Sequence, residues 1–301
     1  MRAIGIERFG GPAELGLLDL PRSRPGFGEV LLRVVAAGVD PLDAALCQGR
    51  LRTAAEPAFP LVPGWQAAGV IESIGEGTAG VRRGERVVAC TFDETTHRGC
   101  YAEHVVLSET RVARMPTRFL YEEAAAVPLP GLLALAALGD LELLRVASVV
   151  VWDPPWSVGP FAIGLARAAG ATVRAVAAEA IHDHAVALGA AAVVPDAGQA
   201  AQLGGVDLVV GSLGDMDLGR ALELVRPGGV VATTDLTAVA RPGVRHVALE
   251  GQCPQLGRLV DLVERHGLRP RVARIFDLAA ASEAHRALAS APLVGSLVLQ
   301  L

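Results

Sequence analysis

The chain has 301 residues, of which 51% are hydrophobic and 20% charged, the composition of an ordinary globular protein long enough for two domains rather than one core. Its formal charge of -5 at pH 7 leaves no basic stripe for nucleic acid or for an anionic membrane surface. All 27 basic residues are arginine, so a Schiff base on a lysine side chain is excluded.

The N-terminus, MRAIGIERFG, starts like a strand and lacks the long apolar region of a signal peptide, so a cytoplasmic protein is expected. The first ~120 residues alternate short strands, such as Val30–Val35 and Ala67–Ile71, with Gly/Pro turns, as in a barrel-like β domain. Cys47, Cys90, Cys100 and Cys253 are scattered, without the paired spacing of a disulfide framework or a structural zinc site. From about Tyr121 the pattern changes to strands alternating with alanine-rich helices. The longest apolar stretch, Ala124–Leu138, contains two prolines and falls short of a membrane span of ~20 residues, so it reads as core.

Val149–Val151 form a β-branched run typical of a buried parallel strand, and Phe161, Leu165 and Ala168 then recur at helical spacing up to Gly170. Ser157 suits the cap of that helix, Pro160 its first turn and Gly170 its stop. Thr172–Val176, Val206–Val210 and Gly229–Thr233 are further buried-strand candidates, which together predict a doubly wound parallel sheet. The turn after Val149–Val151 has the outline of a dinucleotide-binding turn without its glycines: it reads Asp153, Pro154, Pro155, Trp156, Ser157, Val158, Gly159. Two prolines have no amide hydrogen to offer a phosphate, and Asp153 adds like charge. One such charge pair ~4 Å apart at an effective dielectric of 20 costs about 4 kcal/mol, comparable with a thousandfold loss of affinity. Trp156 is bulky enough to fill the groove.

RPGFGEVLLRVVAAGVDPLD (24–43), PGWQAAGVIESIG (63–75), RRGERVVA (82–89) and RPGGVV (226–231) resemble the medium-chain dehydrogenase/reductase superfamily. GCYAEHVV (99–106) and EEAAAVPLPGLLAL (122–135) resemble its zinc-free quinone oxidoreductase and enoyl reductase branch. The resemblance implies an α/β protein with a GroES-like β-barrel-type domain, residues 1–120 and 265–301, and a Rossmann-like doubly wound parallel-sheet domain, residues 121–264. It also implies an active site in the cleft between them. Phe276–Leu278 and Val294–Leu299 then read as strands around a helix Ala280–Leu288, and a homodimer pairs through the edge segment His246–Leu249.

Zinc-dependent relatives would place ligands at the positions of Asp40 and Trp65, but an indole cannot ligate a metal and the neighbouring Gln66 is a poor zinc ligand, so neither metal nor zinc is expected. The zinc-free branch usually carries asparagine at position 40 and aspartate at 66, so here acid and amide have changed places. Either the two form a compensated swap within one hydrogen-bond network, or Asp40 is an acid or base whose proton affinity a desolvated cleft raises. Leu133 replaces a frequent threonine and reads as core packing or as a lost polar contact. Tyr101, Glu103, His104 and Cys100 read as framework, and Asp93, Glu94 and His97 as a solvated loop. Glu179, after the second strand of the cofactor-type domain, reads as an NAD-type ribose contact or as an exposed helix-start carboxylate.

The defective turn leads to the expectation of a reductase scaffold that binds no nicotinamide and performs non-redox chemistry, a cyclisation, isomerisation or dehydration, on a small conjugated carbonyl or polyketide-like substrate. Asp40 would move a proton, Gln66 would stabilise an oxyanion, and Trp65, Leu133, Trp152 and Trp156 would wall the substrate. The alternatives are an NAD(P)H-dependent quinone or enone reductase with an atypical phosphate loop, and a non-catalytic ligand-binding protein.

Overall fold

The computed structural model describes residues 1–51, 58–91, 98–152, 158–196, 198–235, 238–247, 253–290 and 293–301. It divides into two compact units, one of residues 1–129, 250–264 and 269–301 and one of residues 130–249 and 265–268.

The first unit opens with an antiparallel ribbon of β1 (Arg2–Gly5) and β2 (Gly16–Asp19). The long strand β3 (Glu29–Val39) follows and leads into helix α1 (Pro41–Cys47). Along β3 the exposed Arg33 stands between buried Leu32 and Val34, the alternation of a sheet with one wet face. At Ala36–Val39 the strand is buried on both sides. Strands β4 (Gln66–Ile74), β5 (Arg86–Cys90), β6 (His104–Ser108) and β7 (Val112–Arg114) complete the first run, and helix α2 (Tyr121–Ala125) packs on β3 and β4. Helix α3 (Pro128–Leu138) carries the chain into the second unit.

There β8 (Ser148–Trp152), helix α4 (Val158–Ala168), β9 (Thr172–Val176), helix α5 (His182–Leu188) and β10 (Ala192–Val194) form the first winding. The second consists of β11 (Val206–Gly211), helix α6 (Asp215–Leu224), β12 (Val225–Thr233) and β13 (Val244–His246). Among the described residues the strands run parallel in the order β10-β9-β8-β11-β12-β13. The order reverses between β8 and β11, where sheets of this kind bind ligands beyond the carboxyl ends of their strands. The chain then forms helix α7 (Leu256–His266), whose buried Leu256, Leu259, Val260 and Val263 make one apolar stripe. It closes with β14 (Val272–Asp277), helix α8 (Ala281–Ser290) and β15 (Ser296–Gln300), the last pairing antiparallel with β3.

The expected α/β architecture, GroES-like followed by a doubly wound parallel sheet, is the observed one, with local shifts. Strand β12 begins at Val225 rather than Gly229, running through Pro227 where its register with β11 is irregular, the kind of place a strand tolerates proline. Strand β14 begins at Val272 rather than Phe276, because Arg274 and Ile275 are exposed and break the apolar signal. The expected edge segment His246–Leu249 is described only in part: β13 is the edge strand, and residues 248–249 lie outside the described residues. Among the described residues no helix is long and apolar enough to cross a membrane.

Candidate active site

Strand β3 delivers Asp40 to the start of α1. Asp40 has extended backbone, Pro41 occupies the first helical position, and Asp43 follows three residues after the cap. The Asp40 Oδ1 accepts the Leu42 N–H at 3.0 Å, and Asp43 Oδ2 reaches back to the Asp40 N–H at 2.8 Å, a reciprocal capping box. Both carboxyls are buried, Asp40 with 6% of its surface exposed and Asp43 with none.

Asp43 has two further donors. Its Oδ1 accepts the Gly64 N–H at 3.0 Å, and its Oδ2 lies 3.2 Å from the Tyr101 hydroxyl. Gly64 has φ +108°, and a Cβ there would sit 2.6 Å from Tyr101 Cδ1 and 2.8 Å from the Cys100 nitrogen, so only glycine lets this amide reach Asp43. Desolvation raises both acids: burial lifts Asp40 from 3.8 to about 6, and burial together with the charge of Asp40 lifts Asp43 to about 8. Groups this close titrate as one system, which retains one proton between those limits. The hydrogen bonds to Asp43, from two amides and the phenol, favour its anion but do not offset its burial and the charge of Asp40, so between those limits the proton stays on Asp43 and the charge on Asp40.

Gln66, 3% exposed, opens β4. Its Oε1 accepts the Leu129 N–H at 3.0 Å, one of the first amides of α3, which have no partner within the helix. Its Nε2 lies against Gly38, where a Cβ would approach to 2.6 Å. Among the described residues no hydrogen bond joins Gln66 to Asp40; they serve different helices. Trp65 is buried, flanked by Leu46, Val62, Gly64, Thr91, Arg98 and Gly99. In the second unit Leu133 is buried on α3, and Trp152 ends β8 inside an apolar cluster with Val150, Val176 and Leu213. Asp153, Pro154, Pro155, Trp156 and Ser157 lie outside the described residues, as do Asp93, Glu94 and His97. Gly159 is the second residue of α4.

Zinc does not suit these side chains. Asp40 is engaged as a helix cap, Trp65 offers no donor to a metal, and among the described residues no group of three or more His, Cys, Asp or Glu is placed to hold one. A nicotinamide dinucleotide fits better. At the carboxyl ends of β8 and β9 an apolar recess is lined by Val151, Gly159, Ile163, Val176, Ala177 and Ile181, beside the N-terminus of α4. Glu179, exposed, opens the helical turn that follows β9. Close strand approach marks the switch point: a Cβ on Gly211 would lie 1.6 Å from the Trp152 carbonyl oxygen.

Asp43, and the Tyr101–His285 contact behind it, were not singled out by the sequence reading. For Asp43 the signal was present, since Asp-Pro-Leu-Asp is a helix-capping pattern whose third helical residue must turn its carboxyl inward.

Residues 26–117 match the alcohol dehydrogenase GroES-like domain and residues 182–299 the family described as zinc-binding dehydrogenase. A quinone oxidoreductase of Rattus norvegicus is 30% identical over 77% of this chain and 72% of its own length. A spectinabilin polyketide synthase system protein of Streptomyces orinoci, NorB, is 33% identical over 91% of this chain, which spans 13% of that protein's length. Among solved structures an NAD-dependent alcohol dehydrogenase is 29% identical, with all of both chains covered and a TM-score of 0.88.

These findings overturn the expectation that no nicotinamide is bound. An NAD-dependent alcohol dehydrogenase is similar to this chain over its whole length and fold, and a quinone oxidoreductase over 77% of its sequence. The expectation rested on Asp153–Ser157 alone, and a phosphate turn is only part of a dinucleotide site: the strand ends, the recess and the helix N-terminus are contributed by other residues.

Proposed function

The chain belongs to the medium-chain dehydrogenase/reductase superfamily, in its quinone oxidoreductase and enoyl reductase branch, and we propose that it is an NADH-dependent reductase of a conjugated carbonyl, a quinone or an enone. The observation that carries the reading is the parallel sheet β10-β9-β8-β11-β12-β13 with an apolar recess at the carboxyl ends of β8 and β9. Beside that recess the α4 N-terminus suits a phosphate and Glu179 a ribose hydroxyl. An acidic residue at that place favours NADH over NADPH, and with no lysine in the chain a common partner for the extra phosphate is missing. Asp153 and the prolines weaken affinity on this reading without abolishing it.

Nicotinamide, when bound, supplies a hydride for the electrophilic carbon of the acceptor. The electron pair displaced from the conjugated bond moves to oxygen, and the product needs one proton. Burial raises Asp40 to about 6, close to working pH, in a nearly water-free setting suited to general-acid transfer of that proton. Gln66 anchors α3 through Leu129 and presents its amide nitrogen as a fixed donor beside Gly38. The polyketide-synthase relative supports an enone of polyketide type as the acceptor class.

Isothermal titration of the purified chain with NADH and NADPH tests the cofactor assignment. A dissociation constant below about 1 mM for NADH, and tighter than for NADPH, is expected. No binding of either would refute it.

A further inference from the structure

A cavity of about 270 Å³ within the first unit is lined by residues of the β3–β6 pair and of segments 58–62 and 98–99. It is separate from the site at Asp40: its wall on β3 is Leu31, eight residues before Val39, roughly 26 Å along an extended strand. At ~30 Å³ for each water in the liquid, the space suits a molecule of about ten non-hydrogen atoms. Leu20, Leu31, Phe59, Pro60 and Val105 make most of the wall apolar. Phe59 is braced edge-on by Phe9, with ring centroids 5.2 Å apart, and the Phe9 ring lies so close to Gly49 that a Cβ there would stand 3.0 Å from it.

Two polar side chains interrupt that surface with bonding capacity to spare. Arg98 is exposed, is bridged through its backbone to Val62, and has no acidic partner among the described residues. His104 places Nε2 at 2.8 Å from Glu72 Oε2, and the hydrogen bonds from Arg22 and His104 hold the Glu72 carboxyl below its ordinary range. An ionised carboxylate only accepts, so Nε2 carries the imidazole hydrogen and Nδ1 keeps a lone pair. That Nδ1 is buried and has no hydrogen-bond partner. A buried acceptor without a donor is disfavoured, so an O–H brought by a ligand gains most there.

Among the described residues no aspartate or glutamate lines the cavity, so no like charge there opposes an anion, and a guanidinium is the side chain best shaped to take a carboxylate. We propose that this cavity binds a small apolar hydroxy acid, of hydroxybenzoate size, whose carboxylate pairs with Arg98 and whose hydroxyl donates to His104 Nδ1. The site belongs to the first unit alone and does not depend on the reductase reading.

Isothermal titration of the full chain, without nicotinamide, with ortho, meta and para hydroxybenzoate tests this, since the isomers set the hydroxyl at different distances from the carboxylate. At least one isomer is expected to bind with a dissociation constant below about 1 mM. Benzoate, which lacks the hydroxyl, and the methyl ester of that isomer, which lacks the charge, should each bind about tenfold more weakly. Arg98→Gln should weaken the acid about tenfold and abolish its advantage over the ester. His104→Phe, which keeps a ring of similar size, should abolish the advantage of the hydroxybenzoate over benzoate. Failure of all three isomers to bind at that level, binding unmoved in Arg98→Gln, or a preference for the hydroxyl that survives in folded His104→Phe overturns the proposal. Arg98 is exposed, so its variant and the ligand series decide even where His104→Phe does not fold.

Discussion

Replacing Asp40 by asparagine should make the protein more stable at pH 8 and slower at every pH. Asparagine caps helices as well as aspartate does, and its Oδ1 can keep the 3.0 Å bond from the Leu42 N–H, so α1 retains its start. What changes is ionisation. Burial raises the Asp40 carboxyl from 3.8 to about 6, so the folded chain binds this proton more tightly than the unfolded chain does. For a carboxyl raised in this way the folded state loses stability as pH climbs from about 4 to about 6, an interval worth about 3 kcal/mol. Asp40→Asn abolishes that loss and also removes the charge that helps to push Asp43 up. The variant should therefore match its parent below pH 4 and exceed it by up to about 3 kcal/mol at pH 8, while turnover falls roughly 10²- to 10⁴-fold. Urea unfolding at half-unit steps from pH 4 to 8, with NADH oxidation measured on the same samples, checks both. Parallel stability curves would show that Asp40 is not a desolvated acid in the folded chain, and an unchanged rate would show that it moves no proton.

Gly211→Ala should cost more than about 3 kcal/mol, since its Cβ would lie 1.6 Å from a main-chain oxygen of β8 that cannot give way; thermal unfolding by circular dichroism measures it, and a melting point near the parent's would show that the strand ends are looser than described. The chain should scatter light as a homodimer at micromolar concentration, paired through the β13 edge; a monomer mass would leave that edge with another cover.

The parallel sheet was legible because its strands are rich in buried apolar and β-branched residues: Thr172–Val176 was read with its true limits, and Val149–Val151 to within one residue at each end. The edges were less legible, since β14 exposes Arg274 and Ile275 and its pattern is diluted by solvent. Asp40 stood out as an acid where the resembling branch carries an amide, yet its consequence depends on Asp43, Gly64 and Tyr101. Those groups converge only after β3 and α1 have folded against the segment that carries Tyr101. His285 is beyond sequence reasoning altogether: α8 and its flanking strands β14 and β15 carry it to a tyrosine 184 residues away. At the cofactor turn the residues were read correctly and weighted wrongly. Prolines do remove phosphate donors and Asp153 does add like charge, but the recess formed by Val151, Val176, Ala177 and Ile181 has no short motif to announce it.

The central claim, that this chain passes a hydride from nicotinamide to a conjugated acceptor with Asp40 supplying the proton, is tested most directly in a single-turnover reaction. Enzyme in excess is mixed with NADH deuterated at the transferring position and with a quinone or an enone, and the product is examined by mass spectrometry. The account predicts one deuterium on the electrophilic carbon of the product, at a rate that falls as pH rises through the Asp40 titration and that loses this dependence in Asp40→Asn. A product without deuterium, or an acceptor consumed at the same rate with no nicotinamide present, would contradict it.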